Sequence, residues 1–282
     1  MTRRRQLRAA VVAALSVALV GGGIYTGVAL VQRSERLIVE GCTAKAGAQQ
    51  ADLATDQAAN AALIVAVSVR RGLPPRAASI ALATAMQESK LRNIGHGDLA
   101  GPDSRGLFQQ RPSQGWGTTE QVMDPLYAAN AFYDALVEIP GYAAMDVTEA
   151  AQRVQRSAYP RAYAQHETMG RSFASALSGQ THAALDCTLR SPEGNGDPEA
   201  LLGQLEAAYG SLPASSRGQI VEVEASDDRA WSMAHWAVAN AKELGVVQVD
   251  VDGMSWNRQA KDGWQDSAAA GGVTITLAAE AG

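Results

Sequence analysis

The sequence predicts a mainly α chain: an N-terminal transmembrane helix, a compact helical domain, then a small α+β C-terminal module. Three observations lead there. Residues 9–31 run 23 positions without a charge. Helix-type spacing of apolar side chains, with Pro at starts and Gly at ends, recurs between residues 45 and 178. After residue 219 the pattern turns to short runs rich in Val and Ile, a strand signal. With 46% hydrophobic and 19% charged residues, the 282-residue chain has the means to bury a core and is not a disordered polymer.

The N-terminus comes first. Arg3, Arg4, Arg5 and Arg8 precede the uncharged run. At 1.5 Å per residue, a helix of that length crosses roughly 30 Å of hydrocarbon. The Arg cluster favours a cytoplasmic N-terminus. The run is long for a cleaved signal peptide, and no clear Ala-x-Ala site follows it. Residues 1–36 are therefore expected as an Arg cluster and a single-pass anchor in the cytoplasmic membrane through residues 9–31, with the body outside the cytoplasm. Cys42 and Cys187 are the only two cysteines. An even pair in an oxidising compartment points to a disulfide.

Residues 37–189 are expected as the helical domain. An Ala- and Gln-rich stretch over 45–70 ends in Arg70-Arg71-Gly72, which reads as a helix with its stop signal. Pro74-Pro75 then opens a second helix over about 76–91. Gly95, Gly97, Gly101, Gly106, Gly115 and Gly117 punctuate a polar stretch that predicts irregular chain or a short hairpin. Asp124-Pro125 is an N-cap followed by Pro at the first helical position. Thr148 and Pro160 open two further helices, to about 157 and 178. Residues 190–218 predict a linker with a short helix over about 199–209. Residues 219–282 predict a small accessory module, with strands near 220–223, 246–251 and 273–277 and a helix over about 229–244. Trp231, His235 and Val238 fall on one face of that helix and read as core.

Charge narrows the partners. Residues 190–282 hold fourteen acidic side chains against six basic ones. An acidic body argues against nucleic acid, because phosphate binding needs clustered Lys and Arg. His96, His166, His182 and His235 are scattered without ligand spacing, so no metal site and no cofactor are expected.

The chemistry concentrates around Glu88. It falls near the C-terminal end of the second helix, after an apolar turn. Burial disfavours a carboxylate there, and the negative end of the helix dipole acts in the same direction. A carboxylic acid still protonated near neutral pH can donate to a glycosidic oxygen. The following loop offers amides at Gln109 and Gln110 and an indole at Trp116, groups suited to a sugar polymer. Asp98 and Asp103 are turn-forming residues and also the candidates for a second carboxylate.

A Glu88-Ser89 at a helix end, a loop, and then Gly106-Leu107-Phe108-Gln109 resembles the signature of the lysozyme-like superfamily, in particular the lytic transglycosylase-like domains of bacterial cell-wall enzymes. The strings 81–92, 106–118 and 154–163 carry the likeness, which covers roughly residues 45–180. It implies a lysozyme-like fold, peptidoglycan glycan strands as partner, and Glu88 as catalytic acid. Ser89, Asp103, Gly106, Phe108, Gln109, Gln110, Trp116 and Tyr159 are then expected along the glycan. In the family one Glu protonates the leaving oxygen and then takes the proton of the sugar's own 6-hydroxyl. A muramidase would need a second carboxylate. The family's late Ala-Tyr-Asn segment has its nearest match in Ala158-Tyr159-Pro160, which departs from it at Pro160. The alternative is a wall-binding or assembly protein that keeps the fold without turnover.

Overall fold

A computed structural model describes residues 37–99, 101–156, 161–260, 262–268 and 271–279. The anchor expected over residues 9–31 lies outside them. Among the described residues no helix is long and apolar enough to cross a membrane.

The chain enters through a hairpin, β1 (Gly41–Ala46) and β2 (Gln49–Leu53). Helices α1 (Thr55–Arg70) and α2 (Pro75–Ser89) follow. After the irregular stretch come α3 (Thr119–Met123), α4 (Pro125–Val137), α5 (Val147–Gln155) and α6 (Glu167–Leu177). Strand β3 (Leu185–Thr188) then returns to pair with β1, completing a three-stranded antiparallel sheet in the order β2-β1-β3. Cys42 and Cys187 face each other across β1 and β3 and form the expected disulfide, 145 residues apart in sequence. Helix α7 (Pro198–Tyr209) leads to strands β4 (Ala214–Arg217) and β5 (Ile220–Val223). Helices α8 (Asp227–Ala239) and α9 (Ala241–Leu244) precede β6 (Val246–Val251), β7 (Met254–Asn257), β8 (Trp264–Asp266) and β9 (Val273–Leu277). These six strands make one antiparallel sheet in the order β4-β5-β9-β6-β7-β8.

The expectation of a mainly α chain is thus corrected. Two sheets, of three and six strands, frame the helices. The clearest local departure is residues 45–53, expected as the start of a helix and found as a hairpin. Ala and Gln favour helix locally. The pairing of β1 with β3 and the disulfide override that preference.

Two helix starts follow their signals, whereas the helix expected to open at Thr148 begins at Val147 after Asp146, and the start expected at Pro160 lies outside the described residues. The Asp124 carboxylate accepts the backbone N–H groups of Leu126 and Tyr127. Asp197 does the same for Glu199 and Ala200. The helical core is built on small side chains, which allow close approach. Helix α2 packs on α6 at Gly170, where a Cβ would meet the Ser79 carbonyl at 2.7 Å. Ile64, Ile80, Leu82 and Phe132 fill the remaining space and are fully buried. Each contributes about 2 kcal/mol of transfer free energy.

Residues 40–282 form one compact unit. Helix α8 packs on α1, α6 and the β6–β9 region of the sheet. Its Trp231, His235 and Val238 are buried as expected. The tract 190–218, expected as a linker, carries α7, whose Leu201 and Leu205 are fully buried. Indole N–H groups tie the six-stranded sheet to β3: Trp264 donates to the Leu185 carbonyl and Trp256 to the Asp186 carboxylate, both at 2.8 Å.

Candidate active site

The last turn of α2 places Glu88. The helix stops because Lys90 and Leu91 adopt left-handed backbone, at φ 57° and 54°. Ser89, next to the acid, is buried, and its hydroxyl donates to the Leu107 carbonyl at 2.7 Å. Helix end and loop are therefore fastened together beside Glu88. The loop needs Gly106. Its φ is +77°, and a Cβ there would meet the Val122 carbonyl at 2.1 Å. The N–H of Gly106 donates to the Ile94 carbonyl at 2.8 Å, closing the irregular stretch on itself. Phe108 is fully buried and stacks on Phe132 with centroids 4.6 Å apart. Such a stack adds about 1 kcal/mol beyond its buried area.

Glu88 itself is half-buried and lines a cleft of about 660 Å³ with Asp98, Gln109, Trp116, Gln155 and Tyr163. Burial pushes its carboxyl above the ordinary carboxylate value. The hydrogen bond from Tyr163 and the polar Gln155 side chain nearby pull the other way, and the Asp98 charge adds to the rise. The Tyr163 hydroxyl donates to Glu88 Oε1 at 2.7 Å, and Tyr163 is fully buried. The net effect is a carboxyl with a raised pKa, held in a groove by a fixed partner, the kind of environment in which a side chain can serve as a general acid. Arg92, four residues on, pairs with Asp56 rather than with Glu88. A second cavity of about 560 Å³ lies by β4, β5 and β9, but its carboxylates, Glu222 and Glu224, are exposed.

No protein-family model and no curated protein matches the chain.

The residues expected along a glycan divide into two groups. Gln109 and Trp116 line the cleft with Glu88. Ser89, Gly106, Phe108 and Gln110 build its wall from behind: all four are buried, and the Gln110 amide donates to the Ala128 carbonyl. Asp103 is no part of the cleft lining. Its carboxylate accepts the backbone N–H of Ser113 and pairs with Arg111 at 3.0 Å. Hydrogen bonds from Ser113, aided by Arg111, hold its pKa down at about 2. Asp98 does line the cleft, and it also accepts the N–H of Gly101, so it is both turn former and cleft charge. Tyr159 lies outside the described residues.

Two side chains beside Glu88 are not singled out by the sequence. The Tyr163 hydroxyl donates to the Glu88 carboxyl. Gln155, the last residue of α5, lines the cleft beside it and donates to the Phe108 carbonyl. The four-residue spacing of Tyr159 and Tyr163 was visible, but no local rule chooses between them.

Proposed function

We propose that this chain cleaves peptidoglycan at the β-1,4 bond between MurNAc and GlcNAc, as a lytic transglycosylase or muramidase, with Glu88 as proton donor. The body is taken to lie outside the cytoplasm, held to the membrane by the uncharged segment 9–31. The single observation that carries the reading is the Glu88 carboxyl in its cleft, its pKa raised by burial and its Oε1 hydrogen-bonded by Tyr163. The likeness of residues 81–92 and 106–118 to lysozyme-like enzymes supplies the substrate class.

Glu88 gives its proton to the glycosidic oxygen as the C1–O bond breaks, and the bonding pair stays on that oxygen. The carboxylate left behind is stabilised by the Tyr163 hydroxyl. In a transglycosylase, the sugar's 6-hydroxyl oxygen then bonds to C1 and returns its proton to Glu88, giving a 1,6-anhydro end. In a muramidase, water adds instead, and Asp98 is the carboxylate in the cleft able to assist it. Trp116 offers a flat apolar face for a sugar ring, and Gln109 an amide for hydroxyl or N-acetyl groups.

The test is incubation of the full chain with purified sacculi, followed by mass spectrometry of the soluble fraction. Anhydro or reducing muropeptide ends are expected. A chain that pellets with sacculi and releases no muropeptide would instead be a wall-binding protein.

A further inference from the structure

One residue before Glu88, the last turn of α2 brings a second polar side chain to the cleft. Gln87 is half-buried and lines it. Its amide oxygen is engaged twice. Gln165 Nε2 donates to Gln87 Oε1 at 3.1 Å, and His166 Nε2 lies 3.1 Å from the same oxygen. Gln165 and His166 belong to a single 3₁₀ turn, Ala164–His166, which packs on α2 and runs into α6. These partners fix which way the Gln87 amide faces. Gln165 Nε2 also donates to the Ala162 carbonyl at 3.2 Å. A carbonyl only accepts, so that end of Gln165 is its NH₂, and the atom of Gln87 facing it is oxygen. His166 must then carry a proton on Nε2. Burial and the Lys90 charge hold its pKa below the ordinary His value, so at neutral pH the ring is the neutral Nε2–H tautomer. With Oε1 turned to that pair, the NH₂ of Gln87 is the part left to the cleft. Among the described residues nothing is hydrogen-bonded to it.

We propose that Gln87 is a specificity-determining residue of the cleft, a donor-only amide that binds the acetamido carbonyl of an N-acetyl sugar beside Glu88. The ligand class rests on the glycan reading above; the orientation of the amide does not. Both lone pairs of Oε1 are taken, so toward the cleft Gln87 offers two N–H donors and no acceptor. An acetamido oxygen is an acceptor and satisfies one of them. The ammonium of a de-N-acetylated sugar has only donors, and it meets N–H dipoles of the wrong sign. A hydroxyl donates or accepts, and so is not discriminated. The anchored amide therefore separates acetylated from de-acetylated strands next to the acid.

The test is equilibrium binding of a short N-acetylglucosamine oligomer, and of its de-N-acetylated counterpart, to the full chain at a pH where the free amine is charged. These probes carry no lactyl group and no peptide, so the acetamido group alone differs. Wild type is expected to prefer the acetylated oligomer. Gln87→Met removes the donors without adding charge. Its affinity for the acetylated oligomer should fall about fivefold, with that for the amine form unchanged. Gln87→Glu keeps an oxygen for Gln165 and His166 and exchanges the NH₂ for a second oxygen. Shape and anchor survive, and the preference should invert toward the amine form. Thermal melts check that both variants are folded. Equal losses for the two oligomers in Gln87→Met, an acetylated preference that persists in Gln87→Glu, or no preference in wild type would each overturn the assignment. The cleavage reading fails separately. A chain that shows the preference and releases no muropeptide from sacculi keeps the Gln87 site and loses the enzyme, and one that releases muropeptides without the preference does the reverse.

Discussion

Two buried ionisable groups in this molecule invite comparison, Glu88 at the end of α2 and His235 in the middle of α8. Burial moves both: the carboxyl rises, and the imidazole falls to about 4. The difference lies in what their polar atoms meet. His235 has spent both nitrogens on backbone, with Nδ1 2.7 Å from the Ala176 carbonyl and Nε2 accepting the Ala184 N–H at 3.2 Å. Its ring is packed by Trp231 and Trp264. Glu88 is held by Tyr163 and still lines an open cleft. A shifted pKa therefore does not locate a site by itself. A shifted group with somewhere to send its proton does.

The largest effect that would break this contrast is Glu88→Gln. The swap keeps shape and hydrogen bonding but removes the transferable proton, so muropeptide release should drop by about 10³-fold with sacculus binding intact. Release at the wild-type rate would leave Glu88 no more functional than His235. Next comes His235→Phe, which strands two buried backbone groups. A stability loss of about 2–4 kcal/mol is expected in denaturant unfolding, with release per folded molecule unchanged. A smaller effect separates the partners of the acid. Tyr163→Phe removes the hydroxyl that lowers the Glu88 pKa. Release should slow on the order of tenfold, and the alkaline limb should move to higher pH.

The subtlest effect is in stability against pH, where the two groups have opposite signs. The folded state raises the Glu88 pKa from 4.5, so its contribution is complete below that value and is lost as pH rises through the folded pKa. Glu88→Gln should thus gain in Tm over wild type as pH increases. The folded state lowers the His235 pKa from 6.5 to about 4, so its contribution is complete above 6.5 and is lost as pH falls through 4. Thermal melts of both variants against wild type from pH 4 to 8 should show the two slopes crossing.

Much of the cleft was legible in the sequence because its signals are local. Glu88-Ser89 at a helix end, Gly106 in its turn and the Asp124-Pro125 start each need only a few neighbouring residues to be read. So does the Trp231, His235, Val238 face of α8. The hairpin at 41–53 was not legible. Its Ala, Gln and Lys residues favour helix, and the partner that makes β1 a strand, β3, lies 145 residues away by the disulfide count. Tyr163 and Gln155 failed for the same reason. Each reaches the Glu88 cleft from a different part of the chain, Tyr163 as a hydrogen-bond donor to the carboxyl and Gln155 as lining, and only the packed fold brings them there.

The claim that a proton resides on Glu88 is open to direct measurement. Carbon-13 labelling of Glu side chains in the full chain, with the Glu88 resonance assigned by its loss in Glu88→Gln, gives the titration midpoint of that carboxyl. The account requires a midpoint above the ordinary Glu value of 4.5. A midpoint at or below it would mean the group is an ordinary carboxylate at neutral pH, with no proton to give a glycosidic oxygen.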